Sequence, residues 1–149
     1  MARFVFPLQN ILNMKEKLED QEKNNFAQAN LRLHEAMDEK ESLEQRLTEA
    51  KSKLQKEISA SLDVRNIRRQ EDAVEILRMY VRQQILVVKQ REKEVEVARD
   101  RLNEAMKERK TFEKLREKAF EAFLAEENLR EQKEIDELVS YRYGVEDRE

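Results

Sequence analysis

From Ile67 onward, alternating steps of three and four residues visit Gln70, Val74, Leu77, Val81, Gln84, Val88, Arg91, Val95, Ala98, Leu102, Ala105, Arg109 and Phe112. Ten of these fourteen positions are apolar. A heptad kept up for that long has one economical use, a helical seam against another helix. A strand would need apolar residues at every second position. The rest of the chain agrees, because Ala, Glu, Lys, Leu and Arg supply 84 of 149 residues, while Gly and Pro occur once each. Turn-formers this scarce cannot close the tight turns of a sheet fold.

The partner for the seam is upstream. Leu33, Ala36 or Met37, Lys40, Leu43, Leu47, Ala50 and Leu54 repeat the rhythm, and Ile11, Lys15, Leu18, Glu22, Asn25 and Ala29 carry it toward the N-terminus in patchier form. Pro7 suits the first turn of a helix. Gly144 stands where a left-handed cap would end one. Between them the break is "ISASLDVRN" (58–66), where Ser59, Ser61 and Asp63 compete for backbone hydrogen bonds. Asp63 is the candidate N-cap of a helix starting at Val64.

The expected fold is therefore all-α: a single coiled-coil domain over residues 1–149. Helix 1 is placed at about 7–58, a turn at about 59–63 with its pivot at 61–62, and helix 2 at about 64–142. A short connection makes the helices antiparallel neighbours, pairing residue k with roughly 124 − k. At 1.5 Å per residue the arms are about 80 and 115 Å long. Helix 2 thus overhangs helix 1 at the C-terminus.

The overhang is the informative part. All six phenylalanines lie toward the open end, and the heptad falters after Phe112, where Phe120, Phe123 and Leu124 start a different stripe. Some rings should close the base against Phe4 and Phe6. Farther on, Leu129, Ile135, Leu138 and Val139 have no intramolecular neighbour. A charged single helix with a sparse apolar stripe is marginal alone, so this segment is expected to enter another protein.

Catalysis is not expected, because a two-stranded coiled coil has no pocket in which polar groups converge. His34 is the one histidine, and in "HEAMD" Asp38 stands where a zinc-binding helix would need its second ligand. Glu126 and Glu127 are adjacent and face apart. No cofactor, metal or small-molecule substrate is implied. The charges interleave to a net −3, giving no broad basic field for nucleic acid. Arg65, Arg68 and Arg69 near the turn are flanked by acids and read as a solvated helix start. No apolar run approaches the roughly 20 residues of a transmembrane segment, and the N-terminus lacks a signal-peptide core. With no cysteine, a cytoplasmic location fits. The polar seam residues Gln70, Gln84, Arg91 and Arg109 can fix register or keep the seam loose enough to open. Tyr80, beside the seam, can anchor a partner or pack over the seam edge.

The N-terminal "RFVFPLQNILNMKEKLEDQEKNNFAQA" and the C-terminal "ERKTFEKLREKAFEAFLAEENLREQKEIDEL" resemble the two ends of the flagellar FliJ protein family. The resemblance covers essentially the whole chain. It implies a small cytoplasmic component of the flagellar type III export apparatus, needed for flagellum assembly and so for motility and chemotaxis. It also implies a stalk-like coiled coil, peripheral on the cytoplasmic side of the cell membrane. The implied partners are the hexameric flagellar export ATPase, whose ring takes the open end, a membrane export gate protein, and export chaperones. On that reading Phe120, Phe123, Leu124, Leu129, Ile135 and Leu138 meet the ring. Leu43 and Leu77 match apolar positions of the gate-contacting face, with Tyr80 an aromatic of this sequence's own. Arg46, Ala50 and Ala73 replace family aromatics there. Two other readings remain: a holding chaperone or adaptor for secretion substrates, and a structural coiled coil that dimerises through the overhang.

Overall fold

The computed structural model describes residues 2–60 and 63–146. Two helices account for almost all of them, α1 (Gln9–Ala60, 52 residues) and α2 (Val64–Glu146, 83 residues), and no strand occurs among the described residues. They form an antiparallel hairpin whose second arm is the longer. Ser61 and Leu62, where the pivot was expected, lie outside the described residues.

Local chemistry sets the ends. Pro7 sits in the turn before α1, where the Gln9 N–H donates to the Phe6 carbonyl at 3.1 Å and Leu12 N–H to Leu8 at 3.0 Å. The helix thus starts just past Pro7 and uses the carbonyls of residues that precede it. Ser59 does not break α1, because its hydroxyl donates back to the Gln55 carbonyl at 3.0 Å and the helix continues to Ala60. Asp63 caps α2: its Oδ1 accepts from the Arg65 N–H at 3.2 Å, and its carbonyl accepts from Ile67 at 3.1 Å. At the far end Gly144 lies inside α2 with no positive φ, so it is not the left-handed cap its position suggested.

The chain divides into two compact units, one built from residues up to Asp20 and from Glu104 onward, the other from Gln21–Asn103. In the second unit the α2 seam from Ile67 to Ala98 is half-buried or buried at every heptad position, with Val74, Val88, Val95 and Ala98 best covered. Ala36 and Leu43 face it from α1. Antiparallel cross-contacts tie the helices: Asn66 Nδ2 to Glu57 Oε1 at 2.6 Å, Gln84 Nε2 to the Ala36 carbonyl at 2.9 Å, and the Arg99 guanidinium over the Phe26 ring at 5.8 Å. In the first unit Phe6, Leu12 and Ala105 are the buried apolar residues.

The early part of α1 corrects the sequence register. Leu12, Glu19 and Phe26 face α2, whereas Ile11, Leu18 and Asn25 are exposed. The expected series took two successive steps of four, from Asn25 to Ala29 to Leu33, which rotates about 80° off the seam. Stepping back from Leu33 through Ala29, Phe26, Glu22, Glu19, Lys15 and Leu12 keeps the heptad unbroken. The error came from preferring Ile11 and Leu18 to a seam that contains Glu19.

Candidate partner-binding surfaces

The first unit carries an aromatic cluster. The Phe4 ring meets Phe120 edge-on at 5.1 Å and Phe123 at a tilted 5.5 Å, while Phe120 and Phe123 stack at 6.5 Å. Such pairings suit the ring quadrupole and add to the burial of the rings. Two of the six expected ring-contact residues are therefore engaged inside the chain, although Phe120 keeps an exposed edge.

Beside the cluster the seam turns polar. Lys15 Nζ pairs with Glu108 Oε2 at 2.9 Å and lies 6.0 Å from the Phe112 ring centre. Arg109 bonds Glu19 across the seam and Glu113 on its own helix, the latter at 2.9 Å. These bonds, Glu113 first and then Glu19, hold the Arg109 guanidinium charged above its already high ordinary pKa. Glu19 is 5% exposed, an acidic residue at a heptad core position.

Past Glu127 the helix runs on without cover, and every residue from 128 to 145 is exposed. Leu129, Ile135, Leu138, Val139, Tyr141 and Val145 carry the apolar surface there. At about 100° per residue, Phe120, Phe123, Leu124, Ile135 and Leu138 share a 120° arc. Leu129 stands about 180° from Phe120 and Leu138, so the geometry brings five of the six residues to one face and sends Leu129 to the other. Glu127 and Glu131 occupy that face between Leu124 and Ile135, which splits the stripe into two patches.

In the second unit Leu43 is 8% exposed and Leu77 half-buried, both on the seam, while Tyr80 is 48% exposed beside it. Of these three, Tyr80 offers the accessible surface. His34 is exposed, and no cluster of metal-binding side chains occurs among the described residues. No described helix is long and apolar enough to cross a membrane. Sequence reasoning missed Leu12 and the Glu19–Arg109 pair. The signal for both was present, since Arg109 already lay on the α2 seam and asked for an acid opposite it.

A sequence model described as flagellar FliJ protein matches residues 4–148. Among solved structures, a YscO homologue, CT670, from Chlamydia trachomatis is similar at 18% identity and a TM-score of 0.49, over 100% of this chain and 99% of that one. So distant a superposition bears no functional weight. No curated protein matches the chain significantly.

Proposed function

The chain belongs to the flagellar FliJ protein family, and on that premise we propose that it is a non-enzymatic stalk of the flagellar type III export apparatus. Its C-terminal α2 segment enters the ring of the hexameric export ATPase. The hairpin reaches the membrane export gate through the neighbourhood of Leu43, Leu77 and Tyr80, with Tyr80 making the contact and the two leucines supporting it from the seam. It works on the cytoplasmic face of the membrane and escorts export chaperones, supporting flagellum assembly and motility.

The observation that carries this reading is the uncovered helix from 128 to 145. A helix whose apolar residues are divided by acidic ones gives many weak contacts. Such contacts let a ring change state around it without one subunit gripping it permanently. The aromatic cluster speaks against the holding-chaperone reading, because Phe4, Phe120 and Phe123 spend much of their surface on each other.

Capture of the export ATPase by the full chain, and by a chain ending at Leu124, tests the proposal. Capture by the full chain and its loss on truncation are expected. Equal capture by both would refute ring insertion through this segment.

A further inference from the structure

The longest stretch without an acidic residue is "ILRMYVRQQILVVKQR", residues 76–91, in a protein with 33 Asp and Glu. The seam against α1 uses Leu77, Val81, Gln84 and Val88 from it. That leaves Ile76, Met79, Leu86 and Val87 at 49%, 52%, 65% and 39% exposure. They are not scattered. Ile76, Met79, Gln83, Leu86 and Gln90 follow one another at steps of three, four, three and four, a second heptad on the same helix, with Val87 beside it. At 100° per residue this stripe is centred roughly 140° from the α1 seam and is about 21 Å long. No described residue covers it, and it is uncharged in a protein that is 42% charged.

Charge defines one edge. Arg78, Arg82 and Lys89 fall within about 40° of one another on the helix, in a row along one flank of the stripe. Arg78 makes a 3.7 Å contact with Glu75, and Arg82 and Lys89 form no ion pair among the described residues. Across the hairpin, α1 residues 33–48 hold five acidic residues against two basic ones.

These facts discriminate among occupants. An antiparallel α2-to-α2 pairing of two copies would bring the basic rows together, and a parallel one would set each row against Tyr80, Val87 and Arg91, which offer it no acid. The outer face of α1 in this unit offers a second copy only Leu31, Met37 and Ile58 as large exposed apolar residues, too sparse to match a heptad. An anionic bilayer would attract the arginines and could take an apolar helix face, but it would repel the acidic α1 beside them. A helix has use for both features, since knobs need a periodic set of holes and a cationic flank selects an acidic edge.

We infer that the Ile76–Gln90 face docks a helix from another protein, amphipathic over about four turns, with an apolar heptad and acidic residues along one flank. It lies on a different side of α2 from Leu77 and does not use the C-terminal segment. Its fate is therefore separable from that of ring insertion.

The test places a photo-crosslinking amino acid at position 79 or 86 of the full chain in flagellated cells and sequences the adduct. A cross-link from both sites to one segment with an apolar heptad and an acidic flank is expected. The adduct should be lost in Arg82→Glu/Lys89→Glu, while ATPase capture by that variant is unchanged. In vitro, a labelled 21-residue leucine-heptad peptide with a glutamate edge should bind the full chain about tenfold more tightly than its lysine-edged counterpart, and the charge-reversed variant should invert that order. Arg82→Gln/Lys89→Gln, which should level the two affinities, serves if the reversal disturbs folding. A cross-link to a second copy, or to a segment without an acidic flank, would overturn the inference. So would flotation of the chain with phosphatidylglycerol vesicles through this face, or no adduct at either site.

Discussion

Phe4→Ala removes a ring that holds the N-terminal segment against α2. The ring makes an edge contact with Phe120 at 5.1 Å and a tilted one with Phe123 at 5.5 Å, and it is half-buried. A fully buried Phe→Ala change costs about 3–5 kcal/mol, and each aromatic pair adds about 0.5–1.5 kcal/mol beyond burial. Half burial alone takes about half of the first figure, about 2 kcal/mol or roughly a thirtyfold change in an equilibrium, and the two ring pairs add to that. The loss should be local, because residues 2–6 lie outside α1 and their backbone tie to it is Gln9 N–H on Phe6. Hydrogen exchange of the Gln9 and Leu12 amides should therefore accelerate by at least about thirtyfold, with little change around Leu43 or Val88. Phe4→Leu keeps most of the apolar contact and loses the ring pairing, so it should fall between. Unchanged exchange at Gln9 and Leu12 in Phe4→Ala would show that the cluster does not fasten this end. A global loss would show that the segment is part of one cooperative core.

Asp63→Ala removes the side-chain acceptor for the Arg65 N–H and should cost about 1 kcal/mol, read as a lower thermal midpoint by circular dichroism, with Asp63→Asn close to the parent. Ending the chain at Asn128 should reduce helical ellipticity in proportion to the residues lost yet leave the denaturation midpoint where it was, because residues 129–145 are all exposed. Arg109→Leu should lower the midpoint by taking the Arg109 partner from a buried carboxylate. Adding Glu19→Leu should restore or raise it, since a hydrophobic pair of similar volume replaces the ions.

Much of this arrangement was legible in the sequence because a heptad is a one-dimensional signal. Val74, Val88, Val95 and Ala98 needed only counting, and Asp63 announced its own cap. Where the signal was mixed, counting failed. Near the N-terminus Ile11 and Leu18 looked better than Leu12 and Glu19 by composition, and only the cross-strand need of Arg109 chose between the two registers. The C-terminal residues divide in another way. Leu129 is apolar and lies among apolar residues in sequence, but nine residues from both Phe120 and Leu138 put it on the far side of the helix. The outer heptad of residues 76–90 was hidden because the same segment supplies the inner one.

The polar seam positions can be assigned a role by asking which of them would notice a slip of one heptad. Gln84 bonds a backbone carbonyl, which every register offers. Arg91 bonds Glu94 on its own helix at 3.0 Å, and Gln70 Oε1 is buried with no hydrogen-bond partner among the described residues. Arg109 alone of the four reaches a particular side chain across the seam, and a slip would set it against Leu12. Yet a slip would also have to move the turn by roughly half a heptad along the chain, either unwinding the start of α2 or drawing Asp63 into a helix, and both give up the Asp63 cap on the Arg65 N–H. That cap already opposes it. Register therefore does not require the buried pair, and the remaining consequence of Lys15, Glu19, Glu108 and Arg109 is a seam that gains less by closing than an apolar one. The first unit should open at lower free energy than the second, so amides near Glu19 should exchange faster than those near Leu43. Glu19→Leu/Arg109→Leu should remove much of that difference. If both regions exchange alike in the parent protein, or the double variant leaves the gap intact, the polar seam is not what loosens this end.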